Sequence, residues 1–276
     1  MKKIGFVDYY ISEWHANNYV GWIHEITDEY RVSYAWAEMD ASPVDGVTTD
    51  AWCEKYGVEK CASIEELCEK SDVIVILSPS TPEKHLPYAK VVLPYGKRTY
   101  IDKTFSPDLA EAKEMFALAE KYNAPFFSTS ALRYASELAA VSDCRRIVTT
   151  GGGRSADEYI VHQAEMVVKQ LGLGATAIRA DGNAALCTFQ VRYPDDRTAT
   201  MQYAAPLPFT VYMAGDKNSY QPVKSDFFKC LIADMVRFFT DGTISFDTAE
   251  TLEVMRIREG AIKAMAAPDQ WIGLCE

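Results

Sequence analysis

Between residues 72 and 77 the chain reads Asp-Val-Ile-Val-Ile-Leu. A run of aliphatic and mostly β-branched residues with no polar face needs burial on both sides, as in a central strand of a parallel sheet covered by helices. That run organises the reading of its neighbours. Residues 3–7 read as a strand, 12–30 as a helix with Ser12 placed to cap it, and 31–37 as a strand in which Val32, Tyr34 and Trp36 alternate. Ser63 introduces a short helix over 64–70, with Glu66 at the capping-box position. A helix running to about Leu93, a strand over 98–101, an amphipathic helix over 107–122 and a strand over 125–129 continue the alternation. This pattern predicts βαβ units and a doubly wound parallel sheet.

The rhythm changes near residue 130. Helical patterns lie at 134–141 and 158–170, the second closed by Gly172 and Gly174. Strand-like runs at 185–193, 198–203 and 209–214 are joined by turn residues, which predicts an antiparallel sheet. Helices over 225–240 and 248–266 follow. A chain of 276 residues suits two domains. The expected fold is therefore α/β: residues 1–130 form a doubly wound parallel domain, and 131–276 an α+β domain with a mostly antiparallel open sheet.

Composition narrows the partners. Hydrophobic residues make up 48% and charged residues 24%, enough for a sizeable core. The net charge of −11 weighs against nucleic acid, since basic residues occur only in pairs such as Lys97-Arg98 and Arg145-Arg146. Seven cysteines include no C-x-x-C pair, so zinc and redox motifs gain no support, and Cys61 and Cys68 read as packing thiols. The start, MKKIGFVDYY, lacks the apolar stretch of a signal peptide. No run reaches the ~18 apolar residues of a membrane span. The predicted setting is reduced and cytoplasmic.

In a doubly wound sheet, ligands bind beyond the carboxyl ends of the strands. After the first strand comes Asp8-Tyr9-Tyr10-Ile11-Ser12-Glu13, where a dinucleotide binder carries G-x-G-x-x-G. Those glycines let a diphosphate approach the helix N-terminus. Here bulky side chains fill the space, and two acids oppose phosphate at the positive end of the helix. After the second strand, Glu38 and Asp40 can accept hydrogen bonds from a ribose or simply face solvent. After the buried run come Ser78, Pro79 and, further on, His85, which can equally cover a helix start. Asp102-Lys103-Thr104 follows the fourth strand, and Lys103 there can protonate a developing alkoxide or join a surface ion pair. Finally, Gly151-Gly152-Gly153 leads into Asp157, Glu158 and His162. Glu158 and His162 share a helical face, which suits proton transfer or, with a third ligand, a metal. No second His or Cys stands at ligand spacing, so no metal site is expected.

Taken in order, these pieces resemble the Gfo/Idh/MocA oxidoreductases, the family of glucose–fructose oxidoreductase and inositol dehydrogenase. Residues 54–105 carry most of the likeness, from EKYGVEKCASIEELCEKSDVIVILSPSTPEKH to GKRTYIDKTF. The segment 151–172 looks like the family's D-x-x-x-H helix, and the closing FFTDGTISFDTAETLEVMRIREGAIKA is similar to its C-terminal pair. The resemblance implies a Rossmann domain for NAD or NADP, with Asp8, Tyr9, Tyr10, Ile11, Glu38, Ser78, Pro79, His85, Asp102 and Lys103 lining the cofactor. It implies hydride transfer to or from a sugar, polyol or related alcohol or carbonyl, with Lys103, His162 and either Glu158 or Asp157 handling the proton. It also implies a homo-dimer or homo-tetramer through the second sheet. The chain departs from the family at the glycine loop and at E-K-P, which here reads Asp102-Lys103-Thr104. The segment ahead of His162 is short for the family, so part of the second sheet is expected to be missing. The altered loop supports an alternative, a non-catalytic binding or regulatory module on the same scaffold.

Overall fold

In the computed structural model, which describes residues 1–274, the apolar run is a strand with every residue buried. The first unit comprises Met1–Thr129 and Lys229–Ser245, and the second comprises Ser130–Phe228 and the chain from Phe246 onward. A single boundary near residue 130 does not describe this division, because one late helix returns to the first unit.

The first unit contains β1 (Lys2–Asp8), α1 (Trp14–Ile26), β2 (Tyr30–Ala37), α2 (Thr49–Tyr56), β3 (Glu59–Lys60), α3 (Ile64–Lys70), β4 (Val73–Ile76), α4 (His85–Val92), β5 (Thr99–Ile101), α5 (Leu109–Tyr122) and β6 (Phe126–Phe127). Its six strands lie in the order β3-β2-β1-β4-β5-β6, all parallel. The order reverses between β1 and β4, which places the ligand crevice of such a sheet beyond their carboxyl ends. Ser63 caps α3 by accepting the Glu66 N–H, and the Glu66 carboxylate reaches back to the Ala62 N–H at 2.7 Å. Ser12 does not cap α1. Its hydroxyl donates to Asp45 at 2.8 Å, and the helix starts one residue later behind Glu13.

The second unit contains β7 (Arg146–Gly151), α6 (Ala156–Leu171), β8 (Ala177–Gly182), β9 (Cys187–Arg192), β10 (Thr198–Tyr203), β11 (Thr210–Ala214) and β12 (Asn218–Pro222). Then come α7 (Phe227–Asp241), whose residues from Lys229 on belong to the first unit, α8 (Ala249–Ala266) and β13 (Trp271–Gly273). The sheet has seven strands in the order β12-β11-β7-β10-β9-β8-β13, antiparallel except for β7 beside β10. It is mixed but mostly antiparallel. The run at 209–214 does not pair with the run at 198–203, because β7 lies between them. The segment expected as a helix over 134–141 forms two 3-10 turns, Ala131–Tyr134 and Ser136–Ala140, interrupted by the extended backbone of Ala135.

One face of this sheet is packed by α6 and α8, with Ile147, Met201, Phe189, Ile178 and Val211 in the shared core. Cross-strand register aligns Tyr220, Tyr212, Val148, Thr200, Gln190, Arg179 and Trp271 in one row on the opposite face.

Candidate functional site

The crevice end of the first unit is built around Asp8. Its carboxylate ends β1 and is fully buried, with Oδ1 accepting from the Tyr9 N–H at 2.7 Å and the Ser78 N–H at 3.0 Å. Ser78 adopts φ 62 to aim that amide, a left-handed conformation costly for a non-glycine residue. The other oxygen, Oδ2, has no hydrogen-bond partner. Burial, and then the neighbouring Glu13 carboxylate, push the Asp8 pKa well above the ordinary range.

Glu13 caps α1, and its carboxylate accepts from the backbone N–H groups of His15 and Ala16. Burial raises its pKa as well, against the pull of His15 and those two amides. His15 Nδ1 contacts Asp102 Oδ2, and the Tyr100 hydroxyl donates to Asp102 Oδ1 at 3.0 Å. Burial alone would raise the Asp102 pKa, but His15 beside it outweighs that and holds it below the ordinary value. The His15 ring stacks on Tyr19 at 5.3 Å. Asp102 therefore meets the His15 imidazole, with Glu13 on the amides of the same turn, where the sequence placed only a blocked loop. Loop composition indicated Asp8 and Glu13 as hostile to phosphate, but it carried no signal that His15 would reach Asp102, which is 87 positions away.

The remaining first-unit candidates divide into two groups. Glu38 follows β2, forms an ion pair with Lys84 and accepts from the Tyr88 hydroxyl at 2.8 Å, and Lys84 holds its carboxyl below the usual range. Its backbone N–H donates to Asp8 O at 3.1 Å, so the loops after β1 and β2 are joined. Lys103 follows β5, and its Nζ donates to Pro79 O at 3.2 Å, joining the loops after β4 and β5. Tyr9 and Tyr10 are half-buried, whereas Ile11 is buried. His85 is fully buried and lies between the carbonyls of Leu77 and Phe105. Burial lowers its pKa, and its place is a tie between two chain segments.

These groups test a dinucleotide unequally. Glu38 at the end of β2 suits a ribose hydroxyl. The diphosphate seat does not fit. The N–H groups that a phosphate would use at α1 already hold the Glu13 carboxylate, and a second anion there would meet both Glu13 and Asp8.

In the second unit, Ser155 caps α6 by accepting the Glu158 N–H at 3.2 Å. Glu158 pairs with Arg154, while Asp157 is drawn to Arg258 of α8 at 2.6 Å. Of the two acids, only Glu158 lies one turn before His162. His162 meets Ser130, whose Oγ stands 2.7 Å from Nδ1. The ring is flanked by Tyr159 and Phe209. Sequence reasoning did not single out Ser130. The glycine run has a packing origin, since a side chain at Gly152 would run into the carbonyls of Ala204 and Ala205. Among the described residues, no three His, Cys, Asp or Glu side chains group as a metal site. No helix among them is long and apolar enough to cross a membrane. Cys61 and Cys68 are buried unbridged thiols, pushed by burial up to about 11 and about 12.

Comparison with known proteins agrees with this fold. Residues 27–130 match the Gfo/Idh/MocA model, described as an oxidoreductase family with an NAD-binding Rossmann fold. The match begins downstream of the altered loop. An uncharacterised oxidoreductase of Escherichia coli K12, YhhX, is 37% identical over 59 residues, which is 21% of this chain and 17% of that protein. A probable dehydrogenase from Thermotoga maritima superposes with TM-score 0.81 over 99% of this chain and 98% of its own, at 12% identity. A putative myo-inositol dehydrogenase from Sinorhizobium meliloti gives 0.79 over all of both chains, also at 12% identity. An oxidoreductase from Agrobacterium radiobacter, solved with NAD+, L-tartaric acid and magnesium, gives 0.79 over 99% and 98%, again at 12% identity. Residues 27–130 are thus similar to the Gfo/Idh/MocA oxidoreductases with their NAD-binding Rossmann fold, and the solved structures share the fold of the chain.

Proposed function

We propose that this protein is an oxidoreductase for a sugar, polyol or related small alcohol or carbonyl, with NAD or NADP as hydride carrier. Lys103, His162 and Glu158 are its proton-handling residues, and Asp157, committed to Arg258, is not. The observation that carries this reading is Lys103. It follows β5 within the family-matched segment, with its ammonium on the loops where such sheets bind ligands. The names of similar structures, an inositol dehydrogenase and an NAD+ complex among them, support the substrate and cofactor class.

The dinucleotide, when bound, supplies or accepts the hydride. This chain's part is the proton. Lys103 Nζ can donate to an oxygen that gains charge as a carbonyl is reduced. With Glu13 on the α1 amides, a bound carrier would have to leave that N-terminus to the protein. Tryptophan fluorescence tests this directly, since Trp14 stands at the start of α1, half-exposed, and Trp36 lies near the end of β2. Saturable quenching by NADH or NADPH at micromolar concentration is the expected result, and no response at millimolar concentration overturns the reading. Lys103→Ala should abolish turnover of an identified substrate, and unchanged turnover would remove Lys103 from the mechanism.

A second reading has its own support. The Glu13 cap favours a non-catalytic relative that keeps the scaffold as a binding or regulatory module, and a silent NADH titration is its expected outcome. Under either reading, a reduced cytoplasmic setting and a homo-oligomer through the second sheet belong to the proposal. The oligomer is supported by Tyr220, Tyr212 and Val148, which are 62%, 38% and 40% exposed on the open face. Sedimentation of wild type against Tyr212→Glu tests it.

A further inference from the structure

We propose that Ser130 is a positioning residue that fixes the neutral ring of His162 as its Nε2–H tautomer. The ring would then offer a hydrogen-bond donor at Nε2 rather than a base. Only the catalytic meaning of this inference rests on the function proposed above.

The Ser130 Oγ lies 2.7 Å from His162 Nδ1 and also accepts the Leu132 N–H at 3.3 Å, capping the turn Ala131–Tyr134. An oxygen already accepting a backbone amide has its own proton to give, and Nδ1 lies at donating distance. A neutral imidazole that accepts at Nδ1 carries its proton on Nε2.

The serine is itself held in place. Its backbone N–H donates to Glu165 Oε2 at 3.1 Å, and the other oxygen of that carboxylate receives Arg133 Nε at 2.5 Å. Arg133 also pairs with Glu250 at 2.7 Å and lies over the Phe246 ring at 4.1 Å. Ser130, Arg133 and Glu165 are each no more than 3% exposed. Glu165 and His162 are three apart on α6, so one helix face grips Ser130 twice, at its hydroxyl and at its amide. For His162 to take a proton at Nδ1, the Ser130 hydroxyl must first turn away. Within the proton-handling group proposed above, a ring held in this way contributes a hydrogen bond to the ligand oxygen, and removal of a proton from an alcohol falls to another member.

Nitrogen NMR of 15N-histidine protein reads the tautomer without substrate or cofactor. There are four histidines, and His162→Gln assigns the ring by difference. Above its titration, wild-type His162 should show an unprotonated Nδ1 and a protonated Nε2. In Ser130→Ala, the two nitrogens should move toward averaged shifts and the ring pKa should change, while Ser130→Thr should restore the wild-type pattern. Circular dichroism confirms that each variant is folded. A protonated Nδ1 in the wild type overturns the proposal without any variant, as does a Ser130→Ala spectrum identical to wild type. If the wild-type tautomer is as proposed but His162→Gln leaves turnover intact, the functional reading of His162 fails and the positioning role of Ser130 stands.

Discussion

Helices α1 and α6 face the same physical problem, unpaired amides in the first turn, and solve it in opposite ways. At α1 the cap is a carboxylate, Glu13, half-buried near Asp8, His15 and Asp102. At α6 the cap is the neutral hydroxyl of Ser155, and the acids of the first turn, Asp157 and Glu158, sit toward the surface, each with an arginine. The first arrangement confines ionisable groups where water cannot screen them, so each depends on the charge state of the next. The second keeps its carboxylates toward the surface, where solvent and salt weaken the Glu158 pair most. A protein can therefore cap two helices equally well and leave only one of them sensitive to protonation.

The largest expected effect lies in the buried network. Asp102→Ala removes the carboxylate beside His15 and one of the two acceptors of the Tyr100 hydroxyl, and should cost about 3–5 kcal/mol in urea denaturation. A loss under ~1 kcal/mol would show that the network adds little to the fold.

The pH dependence of stability should carry two opposite signs. Asp8 and Glu13 have raised folded values, so their stabilising contribution is complete below about pH 4 and is lost as pH rises through those values. Asp102 has a lowered value, so its contribution is present above about pH 4 and disappears as pH falls through its folded value. Asp8→Asn keeps the acceptor for Tyr9 and Ser78 but removes the charge. It should be more stable than wild type at pH 7 by about 1–2 kcal/mol, with the gap closing below about pH 4. Denaturation at both pH values checks this, and a variant less stable at pH 7 would reverse the sign assigned to Asp8.

The α6 end should respond more weakly. Asp157→Ala leaves the buried Arg258 guanidinium without its carboxylate and should cost about 1–2 kcal/mol, measured by thermal melting. Smallest of all, Glu158→Gln breaks the one-turn pair with Arg154 and should change stability by less than about 0.5 kcal/mol, the difference fading in high salt. If that change exceeded the Asp157 effect, the contrast between a buried and a surface partner would not hold.

Much of the first unit could be read in advance because its signals are local. The run 72–77, the Ser63–Glu66 cap and the periodicity of 107–122 each specify an element within a few residues. The strands missed in the second unit lack such signals. Arg146–Gly151 alternates around two threonines and ends in glycine, and Asn218–Pro222 has no buried residue at all. Their pairing comes from neighbours far away in the chain, which is also why β7 could lie unanticipated between β10 and β11. The site shows the same division. Lys103, Glu158 and His162 stand out by type and spacing, whereas Ser130 is one small polar residue among many.

By itself, then, the amino-acid sequence determined the alternation of strands and helices, the parallel first sheet and the absence of glycines where a diphosphate would approach. These follow from burial periodicity and side-chain volume, which act over a few residues. Only the tertiary structure decided what replaced those glycines. It placed Glu13 on the α1 amides, brought His15 to Asp102, sent Asp157 to Arg258 and put Ser130 against His162. The last three join residues 32 to 101 positions apart. Hydrogen bonds and ion pairs act over about 3–4 Å, and only the folded backbone brings such groups within that range.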